Sequence, residues 1–175
     1  MLKTFLSIGA AASLAIGGAA LSHDTAKPDD AQIAHIAYTA GQIDVDAGKQ
    51  ALAKSHNPAV RAFAEAMVRD HAAVNDKALA LVGRLHVAPQ ANPTSTALAA
   101  QAAQKHAELD KLDGAAFDRA YVANEVAYHN GVNGALRDLL IPSATNAELK
   151  SLLETGLALF SEHQAHAEHL AASLK

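Results

Sequence analysis

Cysteine is absent from all 175 positions, which excludes disulfides, thiolate ligands and a lipid anchor on cysteine. Tryptophan is absent too, and aromatics make up only 4% of the chain, so alanine and leucine supply most of an apolar content of 50%. Both are strong helix formers, and β-branched residues never gather into alternating, strand-like runs. These absences leave an all-α class. There is no basic run and the formal net charge is −4, which argues against a nucleic-acid partner. Neither a Gly-x-Ser-x-Gly elbow nor a phosphate loop is present, so nucleophilic catalysis has no support and the reading leans away from an enzyme. No repeat, low-complexity tract or Gly/Ser linker divides the chain.

The first 22 residues read as an export signal. Lys3 is the positive start, Thr4 to Ile16 form a short apolar stretch, and small residues allow cleavage after Ala20 or Ser22. Losing Lys3 with this leader moves the formal charge from −4 to −5. The expected organisation is a signal peptide at 1–22, a disordered mature N-terminus at 23–28 and a helical domain at 29–175. No second long apolar stretch follows, so the mature form is expected in the periplasm or secreted, without a membrane span.

Prolines 28, 58, 89, 93 and 142 fall where helical patterns start or stop. Asp29 and Asp30 can cap a first helix running to about Ser55. Asn57-Pro58 opens a second that reaches about His86, and Val87 to Pro93 is a loop. A third begins with a piece from Thr96 to Leu112, breaks at Asp113-Gly114 and continues from Ala115 to Leu140. Thr145 and Glu148 read as a capping box for a fourth, ending near Ser173. Each long segment carries an apolar stripe at helical spacing, so the expected fold is an antiparallel up-down four-helix bundle with its third helix broken. Gly41 and Gly48 would let the first helix pack closely on a neighbour.

The informative residues are those that interrupt the stripes. Asp44 falls on the buried face of the first helix, His71 near the centre of the second stripe, Glu125 and His129 together on the third, and His163 on the inner side of the fourth. With the Ser55–Pro58 and Ile141–Thr145 turns placed at one end, helical rise puts all five between roughly 16 and 25 Å from it. Burying such groups unpaired costs roughly 2–7 kcal/mol each, and more for a charge. They must satisfy one another, reach water or hold an ion. Imidazole and carboxylate donors suit zinc, copper, iron or manganese. The competing reading is a closed His–carboxylate network that only fixes helix register. A small-ligand or catalytic pocket is a third. His35, His56, His86, His106 and His169 fall off the stripes, His166 lies at an edge, and Asp70 points away towards the surface.

Four stretches carry a resemblance: Gly41-Gln-Ile-Asp-Val-Asp-Ala-Gly48, Ala62-Phe-Ala-Glu-Ala-Met-Val-Arg-Asp-His71, Phe117-Asp-Arg-Ala-Tyr-Val122 running on to His129, and the last helix around His163. In these the chain resembles the secreted bacterial ferritin-like proteins catalogued as domain of unknown function 4142. That resemblance implies a ferritin-like bundle at the cell envelope, with a metal-handling or envelope-stress role by association, and no established activity. A carboxylate-bridged di-iron centre needs about four inward carboxylates and two Glu-x-x-His pairs. Asp44 and Glu125, with Glu-x-x-x-His spacing, suit a histidine-rich mononuclear site better.

Overall fold

A computed structural model describes residues 27–174. The expected leader and most of the expected 23–28 segment lie outside the described residues. Within them the chain is all helical: α1 (Asp30–Lys54), α2 (Pro58–Arg84), α3 (Pro93–Asp110), α4 (Gly114–Ala135), α5 (Ile141–Ser143) and α6 (Ala147–Ser173). A π-helical turn, Leu136–Leu140, joins α4 to α5. None of these helices is long and apolar enough to cross a membrane.

Local chemistry sets the helix starts. The Asp29 side chain accepts from Gln32 N while the Gln32 side chain accepts from Asp29 N, a reciprocal cap on α1. Asn57 accepts from Ala59 N and Val60 N ahead of Pro58, which needs no N–H partner at the first helical position. The cap of α6 differs from the expected one. Asn146, not Thr145, accepts from Glu148 N and Leu149 N. Thr145 is engaged elsewhere, since its N–H and hydroxyl both donate to the Asp30 carboxylate. Pro142 lies inside the helical run instead of just after it. Its ring crowds the Asp138 carbonyl and brings no N–H to it, and the widened π turn takes up that misfit.

These ties also settle direction. Asp30 holds the start of α6 at the beginning of α1, whereas Lys54 Nζ reaches Asp113 at 3.1 Å and puts the start of α4 at the far end. Asn92 Nδ2 donates to Gln32 O and Gln50 Nε2 to Asp110 Oδ1, so α3 runs beside α1 in the same direction. The turns at Ser55–Pro58 and Ile141–Thr145 therefore lie at opposite ends, not together as expected. The break at Asp113-Gly114 is a full reversal: Gly114 adopts φ +53, a left-handed conformation that glycine takes without strain. The Thr96–Leu112 piece thus belongs to a separate helix that carries the chain back along the molecule.

Two apolar clusters occupy the interior. Ala51, Phe63, Met67, Phe117, Tyr121 and Leu170 pack near the Lys54 end. Ile33, Leu81, Leu136, Leu140, Leu153 and Phe160 pack near the Asp30 end. α1 and α2 approach closely at two glycines. A Cβ on Gly48 would lie 2.8 Å from Val68 Cγ2 and 3.0 Å from the Ala64 carbonyl oxygen, and one on Gly41 would run into Asn75 Oδ1.

Candidate metal centre

Between the two apolar clusters the interior is polar. Asp44 of α1, His71 of α2, Glu125 and His129 of α4, and His163 of α6 meet there, none more than 6% exposed. Their convergence survives the corrected topology because each sits near the midpoint of its helix, a height that does not depend on which end is up.

The three imidazoles form a tight group. Ring centroids are 5.6 Å apart for His71 and His129, 5.2 Å for His71 and His163, and 5.7 Å for His129 and His163. Phe160 stacks on His71 at 4.4 Å and closes that side. One nitrogen from each ring lies within 4.8 Å of the others, and carboxyl oxygens of Asp44 and Glu125 form a second such group with His129.

Hydrogen-bond partners assign the tautomers. His129 Nδ1 lies 3.0 Å from the Glu125 carbonyl oxygen, which can only accept, so Nδ1 carries the proton and Nε2 presents a lone pair. His163 Nε2 lies 3.1 Å from Asp70 Oδ2, so its Nδ1 lone pair faces inward, 3.3 Å from His71 Nε2. Two imidazole nitrogens on one tetrahedral ion at about 2.0–2.1 Å are held about 3.3 Å apart, so the spacing suits a shared ion. His71 Nε2 is also 3.5 Å from Asp44 Oδ2. Several atoms of the layer have no partner: Asp44 Oδ1, His71 Nδ1, His129 Nε2 and both Glu125 Oε atoms.

Burial dictates the charge states. It lowers His71 to about 2, helped by the neighbouring His129 and His163, and lowers His129 to about 4. His163 is lowered by burial as well, although Asp70 opposes the shift. Burial raises Glu125 to about 7. It raises Asp44 well above the usual carboxylate range, with the Glu125 charge adding to the effect. Neutral imidazoles can take a cation as they stand, whereas the two carboxyls would release their protons on binding one.

All five residues singled out from the stripes are brought together here. Asp70 was read as pointing away, yet it holds His163. Arg69 pins the Asp70 carboxylate through Nε at 2.8 Å and Nη2 at 3.0 Å, and that bond holds Asp70 below the usual carboxylate range. Its place immediately before His71, on the flank turned towards α6, was the available signal. His166 is exposed and packs edge-on against Phe63, outside the group. His106 receives the Gln50 amide at 3.3 Å on the outer helix α3. Tyr128, beside His129, donates to the Ala40 carbonyl at 3.0 Å.

The profile of one protein family, Domain of unknown function (DUF4142), matches residues 17–170. The chain belongs to this family. No curated protein and no solved structure matches it. In this DUF4142 member, the buried histidine and carboxylate groups form a layer that could hold a metal ion.

Proposed function

We propose that this chain is an exported, periplasmic metal-binding protein whose α1, α2, α4 and α6 make a ferritin-like four-helix bundle. One long crossover through α3 between two helix pairs is the connectivity such bundles use. His71, His129 and His163 hold a transition metal, with Asp44 and Glu125 as anionic ligands, and Asp70 fixes His163 from outside. The observation that carries this reading is the convergence of buried histidine and carboxyl groups from four helices, with partnerless atoms left on Asp44, His71, Glu125 and His129. A purely architectural network would use its hydrogen-bonding capacity internally, since each unsatisfied buried group costs about 1–3 kcal/mol. Zinc, copper, iron and manganese all accept this donor set, which suits a role in metal handling; a role in envelope stress rests on family association alone.

Elemental analysis of the purified full chain, with melting curves before and after chelation, tests the reading. Near-stoichiometric metal and a lower melting temperature after chelation are expected. Empty protein that melts identically after incubation with each of the four ions would leave only the architectural role.

A further inference from the structure

Helix α3 is a lightly packed element. Of its 18 residues only Ser95 and Leu109 are buried. Polar ties to α1 secure both ends. Gln90 N donates to Ala31 O at 3.0 Å and Asn92 Nδ2 to Gln32 O at 3.3 Å at one end. At the other, Gln50 Nε2 donates to His106 O at 3.0 Å and to Asp110 Oδ1 at 2.6 Å. Between these ties α3 stands off from α4, and a half-open cavity of about 1170 Å³ runs beneath it. Small-molecule pockets usually enclose about 300–1,000 Å³, so this one is large.

Its shape and lining restrict what it takes. Along α1 the wall extends from Ala34 to Gln50, about 24 Å of helix. Leu98 and Ala102 of α3 face Ala127 and Gly131 of α4 across it, and Leu136 of the π turn with Leu153 and Phe160 of α6 also line it, so most of the wall is apolar. Cationic side chains stand at the end closed by Gln50: Lys49 and Lys105 both line it. Asp46 is the acidic residue of the lining, its Oδ1 accepting from the Gln42 amide at 3.0 Å, and Asp110 borders that end through Gln50. Lys49 Nζ is 3.9 Å from Asp46 and Lys105 pairs with Glu108 on its own helix, exposed contacts that a ligand can displace at little cost. We propose that the cavity between α1, α3 and α4 binds a long-chain amphiphile, its anionic head at Lys49 and Lys105 and its hydrocarbon along the apolar wall.

The test is titration of the full chain with hexadecanoate and with hexadecanol, read by calorimetry and native mass spectrometry. A one-to-one hexadecanoate complex is expected, with hexadecanol weaker by about tenfold, the scale of one charge-assisted contact. Gly131→Leu combined with Ala127→Leu fills the cavity, and a Cβ at Gly131 meets nothing within 4 Å, so the helices should persist in circular dichroism while binding is lost. Lys49→Gln with Lys105→Gln should erase the preference for acid over alcohol. Absence of saturable hexadecanoate binding overturns the proposal, as does undiminished binding by the leucine variant. So does self-association of the native chain that the leucine variant abolishes, which would make the cavity a contact between copies.

Discussion

Replacing Glu125 with glutamine removes one buried carboxyl from the polar layer while keeping its size. In the folded chain burial raises this group to about 7 from its ordinary 4.5. A carboxyl raised by folding keeps its proton in the native state while the unfolded chain releases it, so its contribution is complete below pH 4.5 and lost as pH climbs to 7. At 1.36 kcal/mol for each pH unit separating the two values, the metal-free native protein forfeits about 3 kcal/mol over that interval. Glutamine cannot titrate. The stability of Glu125→Gln relative to the unmutated chain should therefore rise by about 3 kcal/mol between pH 4.5 and 7. Asp44 pushes in the same direction, because the Glu125 charge is part of what raises it. Urea unfolding of chelator-treated samples, followed by helical circular dichroism at half-unit pH steps, measures the difference directly. A difference that stays constant across the interval would refute the buried-carboxyl account. A bound metal should narrow that difference at pH 7. An ion at a hundred times its Kd stabilises the native state by about 2.7 kcal/mol, and the variant, short of one anionic ligand, captures less of it.

Further outcomes follow from the same geometry. His71 and His129 stay neutral in the fold down to about 2 and about 4 but charge near 6.5 when unfolded, so each costs about 1.4 kcal/mol per pH unit as pH falls below 6.5. Acid titration of a His71→Leu/His129→Leu variant should show a flatter loss of stability, and an unaltered acid limb would contradict the assignment. Asp70→Asn should weaken metal affinity by about 10- to 100-fold in a competition titration with little change in melting of the metal-free protein, as expected for a partner that orients a ligand. Gly48→Ala should destabilise by about 1–3 kcal/mol in urea titrations, because the Ala64 carbonyl is backbone and cannot move aside as a side chain would.

Periodicity made much of this legible. The stripe interruptions at Asp44, His71, Glu125, His129 and His163 mark residues that are all buried in one layer. Side-chain burial on a long helix follows from the 100° turn per residue, which needs no knowledge of topology. Topology was less accessible. Asp113-Gly114 reads equally as a kink or a reversal, and only the φ of Gly114 with the Lys54–Asp113 contact distinguishes them. Thr145 illustrates a different limit. Its local pattern fits a capping box, but a carboxylate 115 residues away claims its hydroxyl, and Asn146 takes over the cap. Asp70 escaped notice because a flank residue looks solvated until the neighbouring helix supplies its partner.

The polar layer bears on stability as well as on ligand binding. It separates apolar clusters that would otherwise meet: Met67 and Leu81 on α2, Tyr121 on α4 and Leu136 of the π turn that continues it, and Ala167 and Phe160 on α6 lie on opposite sides of it. Helix register is already constrained without it, by the close glycine contacts of α1 with α2 and by the Asp30 ties to Thr145 and Asn146. A register device made of five ionisable groups would thus duplicate cheaper ones while leaving donor atoms unmatched. Filling the layer with leucine-sized residues should then raise the melting temperature of the metal-free protein, as replacing buried ionic networks often does. If the filled variant is instead less stable than the metal-free native chain, the layer contributes to the fold by itself, and the argument from unmatched donors to a bound ion fails.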